Sequence, residues 1–146
     1  MPVEQDNAGR LFATLCDQAW KDFRNGDHEG GYTQARQLLS EPRLGEFLEA
    51  HCHLLLTSSD YMAVEHGEKA VALYQKFLDN AGPNSPTQYY EDLLTEAKRL
   101  LGKAREREAE EEKHRDGEAE VKAIVAAVEE MSKGEEDEGG QKMQGQ

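Results

Sequence analysis

No stretch of this 146-residue chain approaches the roughly twenty consecutive apolar residues that a membrane-spanning helix needs. The segment from Met1 to Arg10 also lacks the apolar core of a secretory signal, so the chain reads as neither secreted nor integral to a membrane, and as cytoplasmic or nuclear. Cysteine is scarce. Cys16 and Cys52 both stand in apolar runs and read as buried small hydrophobes rather than a disulfide framework. Positive charge is in deficit as well: 17 Lys and Arg face 30 Asp and Glu, a formal net charge of -13. Such a balance repels the phosphate backbone, so direct nucleic-acid binding is not expected. Sustained two-residue alternation is missing too, which leaves no basis for a sheet.

What is present is helical periodicity, concentrated in the first two thirds of the chain. From Ala8, the residues Leu11, Phe12, Leu15, Ala19, Trp20 and Phe23 follow helical spacing and stop at Asn25, Gly26 and Asp27. A second helix, from about His28 to Ser40, carries Gly31, Tyr32, Ala35, Leu38 and Leu39. The third begins near Arg43 and is apolar around much of its circumference as far as Leu56, a breadth that implies burial between neighbours. Thr57, Ser58, Ser59 and Asp60 supply a turn and a capping side chain for a fourth helix, from about Tyr61 to Asn80. After the break at Gly82 and Pro83, Ser85 with Gln88 reads as a capping box, with Pro86 opening a fifth helix. Its buried face is expected to be Tyr89 or Tyr90, Leu93, Leu94, Ala97, Leu100, Leu101 and Ala104.

Two ladders of small residues recur at an offset of about 32 positions. Gly31, Ala35 and Leu38 in the second helix correspond to Ala63, Gly67 and Ala70 in the fourth. Small residues one turn apart leave a flat stripe on which a neighbouring helix sits close, so these six are expected to form the packing ladder of two helical hairpins. Beyond Ala104 the apolar residues vanish. The organisation expected is a flexible leader (1–7), a helical-hairpin domain (8–104), a charged helical extension or linker (105–117) broken near Gly117, a short amphipathic helix (118–132) and a disordered tail (133–146).

The hairpins resemble tetratricopeptide repeats on Phe12, Leu15, Cys16, Gly31, Ala35 and Leu38 in one unit and Leu48, Leu55, Ala63, Gly67 and Ala70 in the next, over roughly residues 8–80. Pro42 and Pro83 fall near the unit ends, where that family places its terminal proline. The resemblance implies an all-α fold of stacked antiparallel helical hairpins with a long C-terminal capping helix, and a concave face that binds a peptide or helix. One subclass grips a C-terminal carboxylate with Lys, Arg and Asn. The first helices of each unit here carry Asp17, Lys21, Asp22, Arg24, Glu46 and Glu49, a mixed and mostly acidic set that does not match such a clamp.

No catalytic, cofactor-binding or metal-binding set emerges. His51, Cys52 and His53 are consecutive, and neighbours on a helix point about 100° apart, so the trio cannot close on one ion. Cys16 and Cys52 lie where a thiolate is disfavoured, and the glycines from Gly26 to Gly31 belong to a hairpin turn. The expected function is therefore a non-catalytic scaffold or adaptor, a monomer or a component of a hetero-complex, that holds a protein partner. Val121, Ile124, Val125, Val128 and Met131 fall on one helical face and are candidate partner-binding residues, since such a strip needs something to cover it. The run from Arg105 to Glu120 reads first as a solvated helix and second as an acidic or coiled-coil surface. The alternative function is thus an acidic, histone-chaperone-like protein that binds basic partners through its charged C-terminal third.

Overall fold

The computed structural model describes the backbone of residues 2–144 and the side chains of residues 7–133; the remainder lies outside the described residues. The chain is all-helical, and no strand occurs among the described residues. Five helices follow in order: α1 (Pro2–Arg24), α2 (His28–Leu39), α3 (Glu46–Leu56), α4 (Ala63–Asp79) and α5 (Gln88–Gln144). Contacts divide the chain into two units, Met1–Glu106 and Arg107–Gln146.

In the first unit, α1 packs on α2, α3 packs on α4, and α3 also meets α1 and α2. Short connections enforce the first two pairings. Gly26 adopts φ +99, a left-handed turn that glycine takes without steric cost, and Asp27 caps α2 by accepting a hydrogen bond of 3.0 Å from the Gly30 N–H. The α3–α4 turn is built differently from the expected cap. Thr57 and Ser59 bond back to the carbonyls of His53 and Leu56, at 2.7 and 2.6 Å, and so finish α3. Met62 precedes α4 at φ 54 with no side-chain cap, which corrects the expectation that the Thr57–Asp60 segment caps that helix. The fifth helix likewise opens at Gln88, later than the Ser85 capping box implies, with the Thr87 carbonyl accepting from Glu91 N at 2.9 Å.

Two apolar clusters fill this unit. Cys16, Tyr32, Ala35, Leu38, Cys52, Leu55 and Leu56 form the first, and Ala50, Leu54, Ala70, Tyr74, Leu94 and Ala97 the second. Trp20 packs against both. α3 lies between them, so Leu54, Leu55 and Leu56 are all buried, each at a gain of about 1.5–3 kcal/mol. Ladder residues Gly31, Ala35, Leu38, Gly67 and Ala70 are buried and Ala63 is half-buried. On α5, Leu94, Ala97, Leu101 and Ala104 are buried, Tyr90 is half-buried, and Tyr89 is exposed.

The second unit is helical throughout its described backbone. The helix passes Gly117 without the expected break and continues to Gln144, into the segment expected as a disordered tail. Ala, Glu, Lys and Gln are strong helix formers, and the one exposed glycine between residues 107 and 133, Gly117, costs only about 1 kcal/mol, so helical backbone over that range needs no core. α1 likewise extends back to Pro2 where a flexible leader was expected, with proline at the first position.

Candidate functional site

Within the first unit a groove of about 550 Å³ is lined by α1, α3 and α5. Its walls are largely apolar: Trp20 and Phe23 from α1, Leu54 and Leu55 from α3, and Leu93 and Leu100 from α5. Asp17, Arg24, Glu96 and Arg99 place two charges of each sign around them. These helices converge because apolar residues one or two turns apart put each chain of side chains on one face; the small Ala97 beneath Leu93 and Leu100 is fully buried.

The charged pair on α5 is ordered. Arg99 Nε donates to Glu96 Oε2 at 2.9 Å, and a second guanidinium nitrogen bonds the other carboxylate oxygen. This bonding holds the Glu96 carboxyl below its ordinary value and raises Arg99. His51, also in the lining, is held low chiefly by burial and is neutral near pH 7. Its Nδ1 lies 3.0 Å from the hydroxyl of Tyr74, a fully buried side chain. The same nitrogen lies 3.1 Å from the Phe47 carbonyl, so the tautomer decides its partner: carrying a proton it donates to that carbonyl, and bare it accepts the Tyr74 hydroxyl proton. Trp20 has no such arrangement: its indole N–H is out of solvent without an acceptor, a cost of about 1–3 kcal/mol.

Of the charged residues read from the first helices, only Asp17 and Arg24 line the groove. Asp22 accepts from Gln18, Glu46 pairs with Lys76 at 2.8 Å, and Glu49 lies 3.7 Å from His53 Nε2. The consecutive trio on α3 fans out as helix geometry requires. His51 faces the groove, Cys52 joins Cys16 in the first apolar cluster, and His53 Nδ1 lies 2.9 Å from His66 Nδ1 on α4. Among the described residues no group of three or more His, Cys, Asp or Glu is placed to share a metal ion. No helix of the described residues is long and apolar enough to cross a membrane.

Val121, Ile124, Val125, Val128 and Met131 lie in the second unit and are 48–70% exposed. They share a face by spacing. The groove itself was only half legible. Trp20 and Phe23 mark its α1 side in any helical reading, whereas the Glu96–Arg99 pair gave no signal beyond ordinary i,i+3 spacing. Compared with known proteins, this chain matches no family model, no curated protein and no solved structure.

Proposed function

We propose that this protein is a non-catalytic scaffold that holds an amphipathic helical segment of a partner protein in the groove across α1, α3 and α5. The observation that carries the reading is the groove's make-up, an apolar floor of six aromatic and aliphatic side chains with acidic and basic groups around it. A helix with one apolar face matches that pattern, its stripe on the floor and its flanking charges against Asp17, Arg24, Glu96 and Arg99. Alternation of lining and non-lining helices, with α1, α3 and α5 in the groove and α2 and α4 outside its lining, supports a divergent two-repeat tetratricopeptide-like array capped by α5. The exposed strip from Val121 to Met131 is a second docking element in this reading.

Trp20 is the one tryptophan of the chain, so its fluorescence reports on the groove alone. Helical peptides selected from a random library against the folded protein are expected to change that fluorescence saturably. Leu100→Glu should weaken them about tenfold or more, by placing an unpaired charge on an apolar floor. Selected peptides that bind equally to Leu100→Glu and leave Trp20 unperturbed would overturn the reading. If they bind less to Val125→Asp/Val128→Asp instead, the strip on α5 is the docking element.

A further inference from the structure

The second unit carries Val121, Ile124, Val125, Val128 and Met131 on one face of α5, and every described side chain around them is exposed as well, so no described residue covers the strip. We propose that a second copy of this chain covers it, the two α5 helices pairing in parallel as a short two-stranded coiled coil over residues 113–132. Groove binding and this pairing use different units, so either can fail without the other.

Val121, Ile124, Val128 and Met131 advance by alternate steps of three and four, the repeat that keeps apolar side chains on the seam between two supercoiled helices. Val121 and Val128 take the first position of the heptad, where β-branched residues suit two strands, and Ile124 and Met131 take the fourth. One heptad before Val121 and Ile124 the same positions hold His114 and Gly117, and one before that the fourth position holds Glu110, which ends the seam at Lys113.

Charge along the edges of the seam selects the second copy and its direction. In a parallel pair, the edge residue before each first position faces the edge residue five places further along the other helix. Lys113 then faces Glu118 of the second copy, and the two-fold symmetry repeats that ion pair on the opposite edge. The next facing pairs are Glu120 with Val125 and Ala127 with Ser132, so no two like charges meet along the seam although the chain carries a net charge of -13. Asp116, Glu129 and Glu130 fall on the outer faces. Antiparallel pairing sets each edge against its own kind and gives Lys113 no Glu118 to face. Lys113 and Glu118 both border a concavity beside Gly117, where the missing side chain lets a second backbone approach within reach of them. Within its own helix one Glu118 carboxylate oxygen lies 3.1 Å from His114 Nε2, which leaves the other for the lysine.

The test follows the mass of the folded full-length protein by light scattering and analytical ultracentrifugation from about 1 to about 300 μM. A reversible monomer–dimer equilibrium within that range is the expected result, as befits so short a seam. Val121→Asp/Val128→Asp should stay monomeric throughout, with the thermal melting of the first unit unchanged. Lys113→Glu should weaken the dimer about fivefold or more by turning two attractions into two repulsions, and Lys113→Glu/Glu118→Lys should restore it. A parent that is monomeric at every concentration, a trimer or tetramer, or a dimer that survives Val121→Asp/Val128→Asp would overturn the proposal. So would a dimer that Lys113→Glu leaves equally tight, because an antiparallel pair lacks that contact.

Discussion

A Cβ on Gly31 would stand 2.8 Å from the Ala19 carbonyl oxygen, whereas one on Gly67 would meet the Leu101 and Thr57 side chains at 2.9 and 3.0 Å. Backbone cannot step aside as side chains can. Gly31→Ala should therefore destabilise by about 1–3 kcal/mol in chemical denaturation, and Gly67→Ala by less, since helix propensity returns about 1 kcal/mol. Gly67→Leu has no such escape and should cost as much as Gly31→Ala or more. Equal stability of all three variants and the parent would show that the ladders are not interfaces. The His53–His66 contact has a different signature. Burial first, then the neighbouring His66 and Lys69, hold His53 at about 4, below its usual 6.5, while Lys69 and Arg36 add to burial in lowering His66 and Glu65 opposes them. Each folded histidine then binds fewer protons than its unfolded counterpart, so stability is full above about pH 6.5 and is lost as pH falls towards 4. For buried His53 the loss is about 2–3 kcal/mol. Glu49, 3.7 Å from its other ring nitrogen, does not reverse the sign. Unfolding midpoints measured between pH 7 and 4.5 should show this slope, and the double variant His53→Leu/His66→Leu should flatten it.

Within elements, the α3–α4 turn holds Met62 in a left-handed conformation with its side chain 48% exposed. Met62→Gly relieves that strain and loses little contact, so it should raise stability by about 0.5–1 kcal/mol in the same assay. An unchanged or lower value would mean that the turn has another conformation in solution. Helices with a strong apolar period were legible from sequence: α2 lies within a residue of its expected span, and the α5 face from Leu93 to Ala104 follows its pattern. Caps were less legible because Ser, Thr and Asp serve the end of one helix as readily as the start of the next, as Thr57 and Ser59 do. A helix beyond Arg105 was expected, but its unbroken run past Gly117 was hidden for a further reason. Periodicity reveals only helices that bury a face, while this one relies on propensity and pairs such as His114 with Glu118, 3.1 Å apart.

At the scale of the whole molecule, Ala104 is the last buried residue among the described side chains, and every described side chain from Arg105 to Lys133 is exposed. A chain ending at Glu106 should consequently melt as the full-length protein does, within about 0.5 kcal/mol. A lost or broadened transition would place part of the core beyond Glu106. Beyond its α1 side the groove could not be read beforehand, since it depends on three helices distant in sequence, and charges such as Glu46 and Asp22 that share those helices turn to other partners. The alternative of an acidic surface that binds basic proteins predicts binding that collapses as salt screens it, whereas an apolar groove does not. The measurement that separates them most directly is the nuclear magnetic resonance signal of the single Trp20 indole N–H, followed as a library-selected helical peptide is added at low and at high salt. A groove-bound partner should shift that signal saturably, with an affinity that changes less than about threefold between the two salt concentrations. Binding detected by other backbone signals while the indole signal stays fixed, or lost at high salt, would contradict the account.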